Sequence, residues 1–216
     1  MAGEGNRPQG PATSQPRPDS GAAVAHSAVR LRPRLRILLL GPPGSGKGTQ
    51  GEVLARRLGV PQVSTGEMLR GAVAAGSELG RRVRDLMDAG LLVDDATMLD
   101  VVRERLGRAD AAPGFLLDGY PRTLPQALSL DEILEGGIDS VLLVEVPEDE
   151  LVRRMVARGR SDDTPEVARE RQRIYREATE PLVGYYEERD LVHRIDGRRS
   201  IPEVTAQMVS ALGVAG

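Results

Sequence analysis

Residues 41–50 read Gly-Pro-Pro-Gly-Ser-Gly-Lys-Gly-Thr-Gln, and their types and spacing suit the binding of phosphate. Gly41, Gly44 and Gly46 let a backbone wrap so that successive N–H groups face an anion, with Ser45 inside the turn. A helix starting behind them adds a partial positive charge. Lys47 is placed to reach the β and γ phosphates of a nucleotide. The usual phosphate loop carries Ser or Thr directly after the lysine; here Gly48 intervenes and the hydroxyl arrives at Thr49. Lys47 is the only lysine among 29 basic residues, so a compact, flexible ammonium stands where the chemistry wants one. Residues 114–118 form an apolar run ending in Asp118, a carboxylate suited to holding Mg²⁺ through water beside such a loop, with Thr49 as a second oxygen ligand.

Those residues need strands and helices to place them. Residues 36–40 read as a strand and 50–58 as a helix, so the glycine loop lies between strand and helix, where such a loop binds phosphate. A second strand is expected over 60–64 and a helix capped by Thr65 over 65–75. Further helices are expected from Ser77 to the glycine at 90, and from Asp94 or Asp95 to Gly107. Strand 114–118, helix 123–135, strand 140–146 and helix 148–158 follow, then a polar loop over 158–163. Thr164-Pro165 opens a long helix towards Arg189, bent or interrupted near Pro181. A last strand over 191–195 and a helix over 202–212 close the chain. Five strands alternating with helices predict an α/β fold, a parallel sheet with helices on both faces.

Residues 1–34 are rich in Gly, Pro, Ala, Ser and Arg and are expected to form a disordered tail, leaving one domain over 35–216. The tail lacks the apolar core of a secretory signal, so the expected location is cytoplasmic. At 216 residues, net charge −3 and pI near 5.6, no basic field points to nucleic acid or a membrane surface. One Phe, four Tyr and no Trp leave little for stacking bases, and the absence of cysteine removes thiol chemistry and cysteine-based zinc sites.

Two more stretches, Ser64-Thr65-Gly66-Glu67-Met68-Leu69-Arg70 and residues 118–126, Asp-Gly-Tyr-Pro-Arg-Thr-Leu-Pro-Gln, join the glycine loop in a recognisable order. Together they resemble the three signature segments of adenylate kinases, members of the P-loop NTPases. A fourth, Gly159-Arg160-Ser161-Asp162-Asp163 with Arg171, Tyr175 and Glu180-Pro181-Leu182, is similar to that family's lid and following helix. Glu67 and Tyr120 stand where the family often has Asp and Phe. The resemblance implies transfer of a phosphoryl group from Mg²⁺–ATP to AMP, giving two ADP, by a monomer. A small helical part over 64–93 would close over AMP and a short lid over 157–163 over ATP, with no structural zinc.

Carried over by position, Gly44, Ser45, Gly46, Lys47, Gly48 and Thr49 would hold the ATP phosphates, with Arg154 and Arg158 also facing ATP and Arg199 touching its adenine through the backbone. Thr65, Arg70, Leu91, Leu92, Val93, Gly119, Tyr120, Pro121, Arg122 and Gln126 would hold AMP. Arg160 and Arg171 would bridge towards AMP and the transferring group, so that Lys47, Arg122, Arg160 and Arg171 form the catalytic set. Physics favours arginine in these roles, because guanidinium forks bind phosphate oxygens bidentately and stay charged when desolvated. Arg56, Arg57, Arg81, Arg82 and Arg103 read instead as solvated helix faces.

Two rivals remain at this point. One is a kinase of the same fold for UMP, CMP or GMP; against it, the Gln126 amide can accept from adenine N6 and donate to N1, and Thr123 stands where pyrimidine kinases tend to carry Asn. The other is a non-catalytic nucleotide switch; against it, no Asn-Lys-x-Asp guanine motif exists, and the acceptor-side residues would be superfluous.

Overall fold

The computed structural model describes residues 35–160 and 163–214. The expected tail over 1–34, and Ser161 and Asp162 of the expected lid, lie outside the described residues. Five strands, β1 (Leu35–Leu40), β2 (Gln62–Ser64), β3 (Gly114–Asp118), β4 (Ser140–Glu145) and β5 (Val192–Asp196), form one parallel sheet in the order β2-β3-β1-β4-β5. Helices cover both of its faces. Ile37 and Leu39 pack with Leu54 of α1 (Lys47–Leu58) and Val204 and Met208 of α9 (Ile201–Ala211). Leu38 and Leu40 point the other way, into a core shared with Leu69, Val102, Leu130 and Leu182. Burial on both faces is why β1 and β4 read as unbroken apolar runs rather than alternating ones.

The sheet positions the chemistry through its order. The connection leaving β1 leads to β2, beyond β3, whereas the connection leaving β3 crosses to β4, beyond β1. Paths that diverge from two neighbouring strands leave a crevice at their carboxyl ends, where α/β sheets bind ligands. The β1–β3 register sets Asp118 opposite Leu39, which puts its carboxylate beside the start of the glycine loop.

Between β2 and β3 stand α2 (Thr65–Ala74), α3 (Glu78–Asp88) and α4 (Asp95–Leu106). α5 (Leu124–Ile133) follows β3, and α6 (Glu148–Arg158) follows β4. Only residues 159–164 separate α6 from α7 (Pro165–Ile174).

Several local expectations need correction. α1 starts at Lys47 rather than 50, because the loop runs through Gly46, at φ 96°, straight into the first helical turn. The cap of α2 is Ser64, whose side chain accepts from the Glu67 N–H. Thr65 is instead the first helical residue, and its hydroxyl donates to the Asp118 carbonyl at 3.3 Å. The long helix expected after Pro165 divides into α7, a π turn over Tyr175–Thr179 with Glu180 N–H donating to the Tyr175 carbonyl, and α8 (Leu182–Glu187). Pro181 supplies no N–H and its ring crowds the carbonyl four residues back, so the widened turn absorbs the conflict. A short 3₁₀ turn at Ala109–Ala111 has no counterpart in the sequence reading.

Candidate active site

A cleft of about 670 Å³ opens at the carboxyl ends of β1 and β3. One wall is the phosphate loop. Gly44 has φ 87°, and a Cβ there would lie 2.5 Å from the Leu151 carbonyl oxygen and 3.0 Å from Met155 Cγ, so only glycine lets the loop seat against α6. The Lys47 ammonium folds back onto its own loop, donating to the carbonyls of Gly41 at 2.5 Å and Pro42 at 2.9 Å. Burial pushes the Lys47 pKa down to about 8, and nearby Arg122 and Arg158 push the same way against the opposing pull of Asp118.

Guanidinium groups converge on the same space. Arg70, Arg122, Arg154, Arg158, Arg160 and Arg171 all line the cleft. Arg122 is anchored by its Nε donating to the Gly119 carbonyl at 2.8 Å, and burial lowers its pKa despite Asp118. Two carboxylates hold four of the others. Asp163, with a fully buried side chain, takes Arg158 in a fork at 2.7 and 2.8 Å and Arg171 at 3.1 Å. Glu67 accepts from both Arg70 and Arg160 at 2.6 Å, which lowers its own pKa chiefly through the Arg70 hydrogen bond. The Nε of Arg70 is buried and has no hydrogen-bond partner among the described residues. Such an orphan donor calls for an acceptor, and an anion in the cleft would supply one.

Of the residues named from the sequence, Gly44, Gly46, Gly48, Thr49, Thr65, Leu91, Leu92, Val93, Asp118, Gly119, Pro121 and Gln126 also line the cleft. Three expected residues stand elsewhere. Ser45 is buried beneath the loop, its hydroxyl accepting from Lys47 Nζ at 3.4 Å. Tyr120 is buried in the core beside the cleft and its hydroxyl donates to the Gln126 carbonyl at 3.2 Å. Arg199 lies outside the cleft lining, largely exposed and 3.5 Å from the Asp196 carboxylate. Arg154, by contrast, reaches across to the Gly197 carbonyl at 2.9 Å.

The sequence reading gave no role to Asp163 or Gln172. Gln172 is buried in α7 and donates to the Pro43 carbonyl at 2.7 Å, tying that helix to the phosphate loop. Thr179 in the π turn donates to the Arg122 carbonyl at 2.9 Å, tying the same stretch to the opposite wall. A buried amide among charged neighbours on a helix gives no signal at the level of pattern. The expected surface arginines are as read: Arg56 pairs with Glu52 and Arg103 with Asp100, both well exposed.

Phosphates beside Lys47 favour its charged form and raise its pKa, so nucleotide binding near pH 8.5 is expected to take up protons. Affinity then falls as pH rises above about 8, where the empty protein has lost that proton. For folding the slope has the same sign as for a depressed carboxylate, stability rising with pH between the folded and unfolded values, but here the form that folding disfavours is the charged one. With a folded value below the unfolded value of about 10.4, burying the charged form costs stability below pH 8, and the cost lifts as pH rises towards 10. Titration calorimetry of ATP binding at pH 8.5 in two buffers of different ionisation enthalpy measures the uptake, and Lys47→Met should abolish it. Equal heats in both buffers for the unaltered protein would contradict the shift.

A parallel sheet with a glycine loop at its switch point, faced by arginines that line one cleft, defines the P-loop nucleotide-binding class. Comparison with known proteins narrows it. The adenylate kinase family profile matches residues 39–191. The chain is 48% identical over 184 residues to the adenylate kinase of Kocuria rhizophila, covering 82% of this chain and 98% of that one. It is 50% identical over 185 residues to the adenylate kinase of Thermus thermophilus, covering 82% and 97%, and 47% identical over 191 residues to that of Rhizobium meliloti, covering 82% and 100%. The chain belongs to the adenylate kinase family.

Proposed function

We propose that the protein catalyses ATP + AMP ⇌ 2 ADP with Mg²⁺, acting as a monomer on these small-molecule substrates in the cytoplasm. The observation that carries this reading is one cleft holding Lys47 and the phosphate loop on one side and Arg70 with its orphaned Nε on the other. Five more guanidinium groups, those of Arg122, Arg154, Arg158, Arg160 and Arg171, line the same space. No helix among the described residues is long and apolar enough to cross a membrane.

In-line phosphoryl transfer needs alignment, exclusion of water and neutralised charge rather than a covalent nucleophile. The loop N–H groups and Lys47 hold the ATP phosphates, with Arg154 and Arg158 on the same nucleotide. Arg70, Thr65 and Gln126 hold AMP. Arg122, Arg160 and Arg171 gather charge around the group in transit. Glu67 holds Arg70 and Arg160, Asp163 holds Arg158 and Arg171, and these pairings spare the four guanidiniums mutual repulsion. The entering phosphates must take over those bonds, which draws residues 64–93 and 157–163 inward as the two closing parts.

The donor set fits Mg²⁺ arriving with the nucleotide. Asp118 and Thr49 offer hard oxygen ligands at the cleft, and Mg²⁺ keeps several waters and takes its remaining ligands from phosphate. When bound, the ion would neutralise phosphate charge there.

A coupled assay for ADP, with ATP and each nucleoside monophosphate in turn, tests the reading. ADP formation with UMP or GMP but not AMP would overturn the substrate, and no turnover with any would favour a binding module. Side assignment is tested by two variants. Arg70→Ala is expected to raise KM for AMP about ten- to a hundredfold, the equivalent of one charged hydrogen bond at roughly 1.5–3 kcal/mol, with KM for ATP little changed. Arg158→Ala should show the opposite pattern. Identical patterns for the two would refute the two-sided layout.

A further inference from the structure

The amide of Gln126 is held at both ends by the chain itself. Gln126 lines the cleft yet is only 3% exposed. Its Oε1 accepts from the Arg122 backbone N–H at 2.7 Å, and its Nε2 donates to Asp95 Oδ1 at 2.7 Å. Asp95 also receives the Thr123 hydroxyl, at 3.3 and 3.4 Å to its two oxygens, so it joins the N-terminus of α4 to that of α5. A backbone N–H can only donate and a carboxylate can only accept. One orientation of the amide satisfies both; the flipped one sets NH₂ against N–H and oxygen against carboxylate, leaving buried polar groups unpaired.

These two bonds use one N–H and one lone pair of the amide, which has a second of each. Adenine offers an acceptor at N1 beside a donor at N6, matching Nε2–H and Oε1. Hypoxanthine and guanine offer a donor at N1–H beside an acceptor at O6, so each would meet its like. A base whose ribose phosphate is held on the arginine side cannot turn over to escape the mismatch. We propose that Asp95 is a specificity-determining positioning residue. By fixing the Gln126 amide it makes the cleft choose 6-aminopurine monophosphates over 6-oxopurine ones, without touching the base. The inference rests on the reading of Gln126 as the contact to the AMP base.

The test is kcat/KM for AMP and for inosine monophosphate, with ATP as donor, in the unaltered protein and in Asp95→Asn, Asp95→Ala and Asp95→Glu. Asp94, not Asp95, caps α4 by accepting from the Thr97 N–H at 2.9 Å, so these changes leave the cap in place. The unaltered protein should prefer AMP by at least about a hundredfold, since a site built to hydrogen-bond one pattern strongly rejects its inverse. In Asp95→Asn the new amide can donate or accept, so Gln126 can flip to meet inosine monophosphate at the loss of one bond, that from the Arg122 N–H. The AMP preference should fall at least about tenfold, mainly through faster use of inosine monophosphate, as expected for releasing one buried mismatch. Asp95→Ala, which deletes the acceptor, should lower it likewise, whereas Asp95→Glu, which still only accepts, should keep it. An unchanged ratio in both Asp95→Asn and Asp95→Ala, or parallel loss of both activities, overturns the inference, as does an unaltered protein that shows no preference. No ADP from ATP plus AMP in the unaltered protein would instead sink the phosphotransfer reading beneath it.

Discussion

Lys47→Ala is expected to lower kcat by about 10²–10³ while the melting temperature moves by only a few degrees. Removing one preorganised donor aimed at developing charge costs about that much in rate. The ammonium here is enclosed by loop carbonyls, with a pKa pushed down to about 8, so in the empty protein it sits close to shedding its proton. Phosphate restores its charge where the reaction needs it. Stability should change little, because the alanine variant loses two bonds to loop carbonyls but also the cost of burying a charge. A change of about 1 kcal/mol moves the midpoint by roughly 2–4 °C in a domain of this size. Lys47→Arg should not rescue turnover, since a planar fork cannot occupy the turn that holds a compact ammonium. Single-turnover ADP formation and thermal denaturation together decide the matter; near-normal rate at normal stability would mean that the glycine loop does not bind the transferring phosphate.

Arg122→Ala is expected to fall mostly on kcat as well, again by about 10²–10³, with both KM values changing less than tenfold. Arg122 leads to Asp118 on one side and, through its backbone, to Gln126 and Thr179 on the other. Burial already disfavours the charge of its guanidinium; an anion in transit relieves that penalty more than a bound substrate would. Arg122→Lys keeps charge but not the fork, and should recover only part of the loss. Because Lys47 and Arg122 act on one group, the double variant should lose less than the product of the single losses. If Arg122→Ala instead raised KM for AMP at unchanged kcat, the residue would belong to ground-state binding alone.

Much of this protein was written in local pattern. The glycine loop, the apolar strands and their alternation with helices specify an α/β sheet, because glycine placement and hydrophobic period act over a few residues. The stop at Asp118 and the arginines after recognisable motifs were legible for the same reason. Boundaries slipped where two signals overlapped. Ser64 and Thr65 can both cap a helix, and the pairing of β2 with β3 decided for Ser64 by pointing Thr65 at the Asp118 carbonyl. Pro181 announced a bend, but not that it would be taken up by a π turn at Tyr175–Thr179.

What the tertiary structure alone decided is which charges meet. Asp163 and Glu67 looked like ordinary acidic residues, yet the fold sets Asp163 between Arg158 and Arg171 and sets Glu67 between Arg70 and Arg160, 93 residues away. Arg154 could be placed near ATP from its position in the motif, but its hold on the Gly197 carbonyl, in the turn after β5, is set by the fold. Gln126 could be read from sequence as a base contact, but its orientation is set by Asp95, 31 residues before it. Pattern records what a residue can do within its own turn of helix or strand. The partner of a charge or an amide is fixed by sheet order and helix docking, which act over distances in sequence that no local pattern encodes.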